Sequence, residues 1–230
     1  MHFWRAHSSG DGSPPSAEQM RALQRRVEPP ENELPGAIAF HAVVGRSDEL
    51  VVAVVRADAY STGIAISLLI RLRHSNRAEL AHDLFGHPPH RGGSRGGLLV
   101  GVAYPDGRTA SNVSAAPFPD PQLDADHPTL TQRGGGGGGR SFGIDYWLTP
   151  LPPAGNLIVV VAWPALGVEE SHTSIPAELI AEGLARNIEL WPWEPDTDDG
   201  PPTPEPPDLP EGGWFAEHVP DNPPHIDDAP

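Results

Sequence analysis

LVVAVVRADAYSTGIAISLLIRLR, residues 50–73, is the stretch that decides the fold of this chain. In its second half one face carries Ile64, Ile66, Leu68, Ile70 and Leu72, and the other carries Ser67, Arg71 and Arg73. An alternation with a period of two is typical of a β-strand with one buried face. Because the apolar run Leu50–Val55 precedes it, the segment predicts strands at residues 50–56 and 63–73.

Strand patterns recur along the chain, as alternation, as an apolar run on both faces at residues 157–163, and as a hairpin around Pro105-Asp106-Gly107. Together they predict further strands at residues 38–44, 98–104, 108–113, 141–148, 157–163 and 168–174. Short strands joined by turn-rich segments, without helices between them, favour antiparallel over parallel sheets. The sequence therefore predicts a mainly β protein, an antiparallel β-sandwich of about seven or eight strands, with an open barrel as the alternative.

Two helices are predicted, one on each side of the strands. Ser16-Ala17-Glu18-Gln19 matches a capping box, which predicts a short N-terminal helix that ends near Val27. A C-terminal helix is predicted to begin at Pro176 and to end before Pro192. Its apolar stripe would consist of Ile180, Leu184, Ile188 and Trp191.

The composition divides the 230 residues into three predicted parts: a flexible segment with a short helix (1–36), the β domain with its closing helix (37–193) and a tail (194–230). The tail holds eleven acidic residues and no arginine, so −11 of the net charge of −16 lies there. Rich in proline as well, it is predicted to be disordered. No basic face is evident, which argues against binding to nucleic acid.

The chain contains neither lysine nor cysteine, since all 15 of its positively charged residues are arginine. Schiff-base chemistry, thiol catalysis, thiolate metal sites and disulfides are thereby excluded, and no cofactor is predicted. No membrane partner is predicted, because the first residues lack an apolar signal-peptide core and the longest apolar stretch is broken by Arg56 and Asp58. We expect a cytoplasmic protein.

Two segments match the sequence patterns of catalytic motifs but lack the structural context that these motifs require. The run Gly134–Gly139 followed by Arg140-Ser141 fits a Walker A pattern in which arginine replaces lysine, but a strand pattern follows it where a helix is needed. Polyglycine predicts a loop without secondary structure instead. Gly92-Gly93-Ser94-Arg95-Gly96 fits a nucleophile elbow, yet it also leads into a strand. The sequence therefore favours a protein that is not an enzyme.

A histidine-rich connection supplies the densest cluster of candidate metal ligands. His82, Asp83, His87 and His90, near His74, carry groups that bind zinc or non-haem iron. The prolines and glycines around them favour a solvated loop, so a metal-dependent enzyme is the weaker alternative, and no metal site is predicted.

Aromatic side chains supply the candidate binding residues. Trp147 lies opposite the apolar face of its strand, and with Tyr146 and Asp145 it could form a platform for a carbohydrate or small molecule. In the tail, Trp214, Phe215 and Val219 form an apolar island among acidic residues, a composition that suits docking to a partner protein.

Three segments, residues 50–73, 101–108 (GVAYPDGR) and 142–168 (FGIDYWLTPLPPAGNLIVVVAWPALGV), resemble a group of actinobacterial proteins without an assigned function. The resemblance covers roughly residues 37–193, rests on turns and tryptophan-bearing strands, and implies no catalytic residue. The strand succession is similar to immunoglobulin-like sandwiches, which implies an architecture and no function.

The leading hypothesis is a non-enzymatic interaction or scaffold protein that binds another protein through its β-sandwich and acidic tail. Val168–Ser174, with polar residues at most positions, is predicted to be an edge strand that could take part. The alternative is a sandwich that binds a carbohydrate or small molecule through Trp147.

Overall fold

A computed structural model describes Arg21 and residues 24–74, 97–113 and 126–194. The chain divides into two units, and all of these residues belong to the first, Met1–Pro195. The strands of the described part are β1 (Glu33–Leu34), β2 (Gly36–Ile38), β3 (Ala42–Arg46), β4 (Leu50–Tyr60), β5 (Gly63–Leu72), β6 (Leu99–Ala103), β7 (Thr109–Ser111), β8 (Thr129–Gly138), β9 (Ser141–Thr149), β10 (Leu157–Trp163), β11 (Val168–Ile175) and β12 (Ile188–Glu189). Helix α1 spans Ala177–Leu184, and Pro164–Leu166 form a 3₁₀ turn.

The strands form three antiparallel sheets. In the six-stranded sheet both β2 and β3 pair with β4, which is followed by β5, β9 and β8. The four-stranded sheet has the order β11, β10, β6, β7, and β1 pairs with β12 in a sheet of two. The prediction of a mainly β, antiparallel fold is confirmed, whereas the immunoglobulin-like type stays a prediction.

The two larger sheets share one hydrophobic core. The six-stranded sheet contributes residues such as Val52, Ile66 and Ile144, and the four-stranded sheet contributes Val159 and the fully buried Trp163. One side of each sheet therefore faces the other, as the alternation of apolar residues requires. A β-bulge near Val55 shifts the pattern of β4 by one residue and leaves that valine exposed.

The single strand predicted at residues 38–44 is two strands, β2 and β3, and both pair with β4. β3 also lies against the four-stranded sheet, since the Ser171 hydroxyl of β11 donates a hydrogen bond to the Val44 carbonyl. Of the predicted N-terminal helix, Arg21 and residues 24–27 are described, and all of them are helical.

The C-terminal helix is shorter than the apolar stripe predicts, because it ends at Leu184. Ile188 instead pairs with Leu34 of β1, and the Leu190 amide donates to the Asn32 carbonyl. Once these main-chain partners are available, the chain gains sheet hydrogen bonds in place of helical ones. The last residue of the predicted stripe, Trp191, is therefore 58% exposed instead of covering the core.

The polyglycine stretch was predicted to be a loop, and this prediction is wrong. Gly134–Gly138 belong to β8 and pair with β9, from Gly134 opposite Asp145 to Gly138 opposite Ser141. The physical reason is that sheet hydrogen bonds come from the main chain, so a well-anchored neighbour can hold glycines extended despite their low strand propensity.

Candidate functional site

The outer edge of β8 is an exposed main-chain surface in the described part of the six-stranded sheet. β8 is the last strand of that sheet and pairs with β9 on one side. No strand in the described part of the chain pairs with its other side. Residues 133–138 are all exposed, so the outward amide and carbonyl groups of this edge are open to a further strand.

Within the described part of the chain, the outer face of this strand is uncovered at three glycines. A Cβ atom placed on Gly134, Gly136 or Gly138 would meet no atom of a described residue within 4 Å. Gly137 differs, because its φ of +153° suits glycine and an added Cβ would lie 2.2 Å from the Ser141 carbonyl oxygen. Edge strands are usually protected by charged side chains, prolines or bulges, and from Gly134 onwards this strand carries no side chain at all.

β9 holds the glycines in place because it is itself fixed by the core. Phe142 and Ile144 of β9 are buried between the sheets, and they lie opposite Gly137 and Gly135. The turn that joins the two strands is formed at Gly139, whose φ is +61°. At the other end of β8 Leu130 is buried in the same core. The edge is therefore already extended before any ligand binds.

A bulge separates the two halves of β8. The register shifts between Gln132 and Gly134, so Arg133 is the extra residue. Its guanidinium lies 3.9 Å from the carboxylate of Glu28, which links β8 to the segment after the N-terminal helical turn. The contact is partly exposed and contributes little to stability, but it marks the point beyond which the edge carries only glycine.

The three residues of the predicted aromatic platform do not lie together. Trp147 and Asp145 are on the outer face of the six-stranded sheet, in register with Ala65 and Ser67, whereas Tyr146 is on the inner face. The indole of Trp147 is fully buried. It donates a hydrogen bond from Nε1 to the Arg25 carbonyl at 2.9 Å. A ring covered in this way is not available for stacking against a sugar.

Tyr146 and Asp145 each have a structural partner. The Tyr146 hydroxyl accepts a hydrogen bond from Asn112 Nδ2 at 3.4 Å, and burial raises the pKa of Tyr146 to about 12. Asp145 remains exposed and accepts a hydrogen bond from the Ser67 hydroxyl at 2.6 Å. Of the three, only the Asp145 carboxylate is open to a ligand, and it lies opposite Gly134 of the β8 edge.

No family model, curated protein or solved structure matches this chain.

The other predicted site residues lie outside the described residues: Trp214, Phe215 and Val219 of the tail, and His82, Asp83, His87 and His90 of the histidine-rich connection. His74 is described and exposed. Across residues 24–74, 97–113 and 126–194, no group of three or more His, Asp or Glu side chains is placed to hold a metal ion. In the same part of the chain, no helix combines the length and apolar character that crossing a membrane requires.

The predicted edge strand at Val168–Ser174 corresponds to β11, which is an edge of the four-stranded sheet. β3 lies against it, however, and the hydrogen bond from Ser171 to the Val44 carbonyl occupies part of that side. Among the described strands the more open edge is β8, whose glycine half is predicted from the sequence to be a loop. Two local signals indicate it: Thr129-Leu130-Thr131 has strand character, and Gly139-Arg140 leads directly into β9.

Proposed function

We propose that this chain is a non-enzymatic protein-binding module whose β8 edge accepts an extended segment of a partner protein as an additional strand. The observation that carries the proposal is the exposed edge from Arg133 to Gly138, which no strand among the described residues pairs with. In this mode of recognition the main-chain hydrogen bonds supply affinity, and the alternate side chains of the added strand supply specificity.

The cost of binding is reduced because β8 is already ordered. Fixing one residue of a flexible chain costs roughly 1–2 kcal/mol in backbone entropy, and glycine loses the most. Pairing with β9 has fixed Gly134–Gly138 before the partner arrives. The entropy of ordering therefore falls on the incoming segment alone, which favours a partner that is extended beforehand.

The edge also lets a partner strand approach closely. Because Gly134, Gly136 and Gly138 leave open space where other residues have Cβ atoms, large side chains of the added strand can lie across β8 without a clash. Specificity then comes from what lies beyond the glycines, including the exposed carboxylate of Asp145.

A library of displayed decapeptides, selected on the full chain, tests the proposal. Neighbouring residues of a strand direct their amides to opposite sides. Of the variants Gly135→Pro and Gly136→Pro, one therefore loses an amide that pairs with β9, and the other loses an amide that points outward. Thermal unfolding tells them apart, because the variant that loses only an outward amide should keep near-native stability. We expect that variant to lose the selected peptides and the matched control Gly136→Ala to retain them.

Amide exchange of the unmodified chain gives an independent measurement. The outward amides of residues 134–138 should exchange quickly in the unbound chain and at least tenfold more slowly with a selected peptide. Unchanged exchange, or equal peptide binding by both proline variants and the control, would refute β-augmentation at β8.

A further inference from the structure

One end of the outer face of the six-stranded sheet is rich in arginine. Arg71 and Arg73 lie at the end of β5, and Arg140 lies in the turn between β8 and β9. All three side chains are exposed. We call them the arginine end.

Hydrogen bonds hold the arginine end together and place it beside the β8 edge. The Leu72 amide donates to the Arg140 carbonyl at 2.9 Å, and Arg140 Nη1 donates to the Arg73 carbonyl at 3.4 Å. The β8–β9 turn is therefore fixed against the end of β5. Arg140 follows Gly138 by two residues, so its backbone lies at the end of the glycine edge, while its guanidinium is directed towards the Arg73 carbonyl at the end of β5.

The strand register defines a row across the outer face. Arg71 of β5 lies opposite Ser141 of β9, and Ser141 lies opposite Gly138 of β8. A strand added to β8 would continue this row. With strands about 4.8 Å apart, its backbone would lie roughly 14 Å from that of Arg71. Only one serine and one glycine separate them, so no bulky side chain intervenes.

Glu49 lies next to the arginine end, since the Arg73 amide donates a hydrogen bond to the Glu49 carbonyl at 2.8 Å, whereas β5, which carries Arg71, lies one strand nearer to β8 than β4 does. Asp48 and Glu49 belong to the turn between β3 and β4, and β3 pairs with β4 at the far side from β8. At physiological salt the field of exposed charges decays over about 8 Å, so among the described charges the arginine end contributes more than Asp48 and Glu49 at the end of β8.

We infer that the strand accepted by β8 is acidic at its Gly138 end, with a glutamate or aspartate in the outer-face position next to Gly138, near Arg140 and in the same row as Arg71. This inference rests on the proposed function and specifies its partner. Guanidinium groups favour carboxylates because they offer several donors in a planar fork. Charge complementarity of this kind sets the register of the added strand and raises its rate of association.

A doped library tests the inference. The library consists of displayed decapeptides in which every second position is varied among glutamate, glutamine and lysine. The positions between them are fixed as threonine. After selection on the full chain we expect glutamate to be enriched over lysine at the position next to Gly138. Equal enrichment of the two, or a preference for lysine, would overturn the inference.

Arginine variants give the second readout. For the selected peptide, Arg140→Gln should weaken binding roughly two- to fivefold, the range of an exposed ion pair, and Arg71→Gln, three strands away, should weaken it less. The same peptide with glutamine in place of glutamate should bind both variants as it binds the unmodified chain. Arg46→Gln is the matched control, because Arg46 lies in the same row, opposite Val51, but at the far edge of the sheet. Equal losses for the glutamate and glutamine peptides would contradict the inference.

The outcomes separate the two proposals. Peptides that bind at β8 without a preference for acids would refute the acidic partner and leave the binding edge supported. The absence of any peptide sensitive to the outward proline variant would refute both.

Discussion

The indole nitrogen of Trp147 donates a hydrogen bond to the carbonyl oxygen of Arg25, 2.9 Å away. This contact joins β9 to a segment 122 residues earlier in the chain. The Tyr60 ring meets the indole edge to face, with the ring centres 5.5 Å apart. The outer face of the six-stranded sheet thus has a small second core, separate from the one between the sheets.

Trp147→Ala should lower the free energy of unfolding by about 3–5 kcal/mol, since it removes a fully buried tryptophan. Trp147→Phe keeps most of the ring contacts but leaves the Arg25 carbonyl without this donor, and should cost about 1–3 kcal/mol. Urea unfolding measures both. Trp191→Ala is the control: its ring is exposed, so the change should stay within about 0.5 kcal/mol. Similar losses for Trp147→Ala and Trp191→Ala would contradict the buried position of Trp147.

Neighbouring glycines of β8 should respond to alanine in opposite directions. Gly136→Ala has open space and an ordinary backbone conformation, so it should stabilise the chain by about 0.4–1 kcal/mol by restricting the unfolded state. Gly137→Ala would place a Cβ 2.2 Å from the Ser141 carbonyl oxygen at a φ of +153°, and should destabilise it. Thermal unfolding of the two variants decides the matter. If both variants were equally stable, β8 would not have this backbone.

The Asn112 side chain hydrogen-bonds to the main chain at the start of β6. Its Oδ1 accepts a hydrogen bond from the Val100 amide at 2.9 Å, and its Nδ2 donates to the Leu98 carbonyl at 2.8 Å. Asn112→Ala leaves these buried groups unsatisfied, at about 1–3 kcal/mol for each. Tyr146→Phe removes only the 3.4 Å contact with Asn112 and should cost less. Chemical denaturation of the two variants should show this order, and the reverse order would place the main role on the tyrosine hydroxyl.

Stability should fall between pH 10 and pH 12 because of tyrosine. Burial raises the pKa of Tyr146 from 10.0 to about 12, and burial also raises the pKa of Tyr104. In this range the folded chain holds protons that the unfolded chain has released, so the stabilising contribution is complete below pH 10 and is lost as the pH rises through the folded value. For Tyr146 alone the slope is about 1.4 kcal/mol per pH unit.

Because the chain contains no lysine or cysteine, few groups other than tyrosine titrate in that range, and the change in stability can be assigned to tyrosine. Tyrosinate absorbance should rise together with unfolding, and Tyr146→Phe should make the alkaline loss of stability shallower. Ionisation at pH 10 without unfolding would show that these hydroxyls are open to solvent.

The sequence predicts strands well where side chains alternate. β5, β9 and β10 lie within a residue of their expected bounds, because Ile66, Ile144 and Val159 must face the core and their neighbours must not. The alternation also places Trp147 correctly, on the face opposite Tyr146. What covers that face comes from residues far away in the chain, and no local pattern shows it.

β8 and β12 are strands that the sequence pattern does not predict. Glycine carries no side chain from which a period can be derived, so Gly134–Gly138 become a strand only through β9. Ile188 fits a helical stripe equally well, and its pairing with Leu34 decides otherwise. Both elements, and with them the candidate binding edge, are defined by main-chain partners that a sequence does not display.

The pairing of β1 with β12 joins the first and last strands of the described part of the chain, with Glu33 opposite Glu189. A domain whose entry and exit strands are neighbours can be rejoined at that point and opened elsewhere, or inserted into a loop of a host protein, without stretching its core. The β domain is accordingly suited to circular permutation, with new termini at the exposed Pro105-Asp106-Gly107 turn.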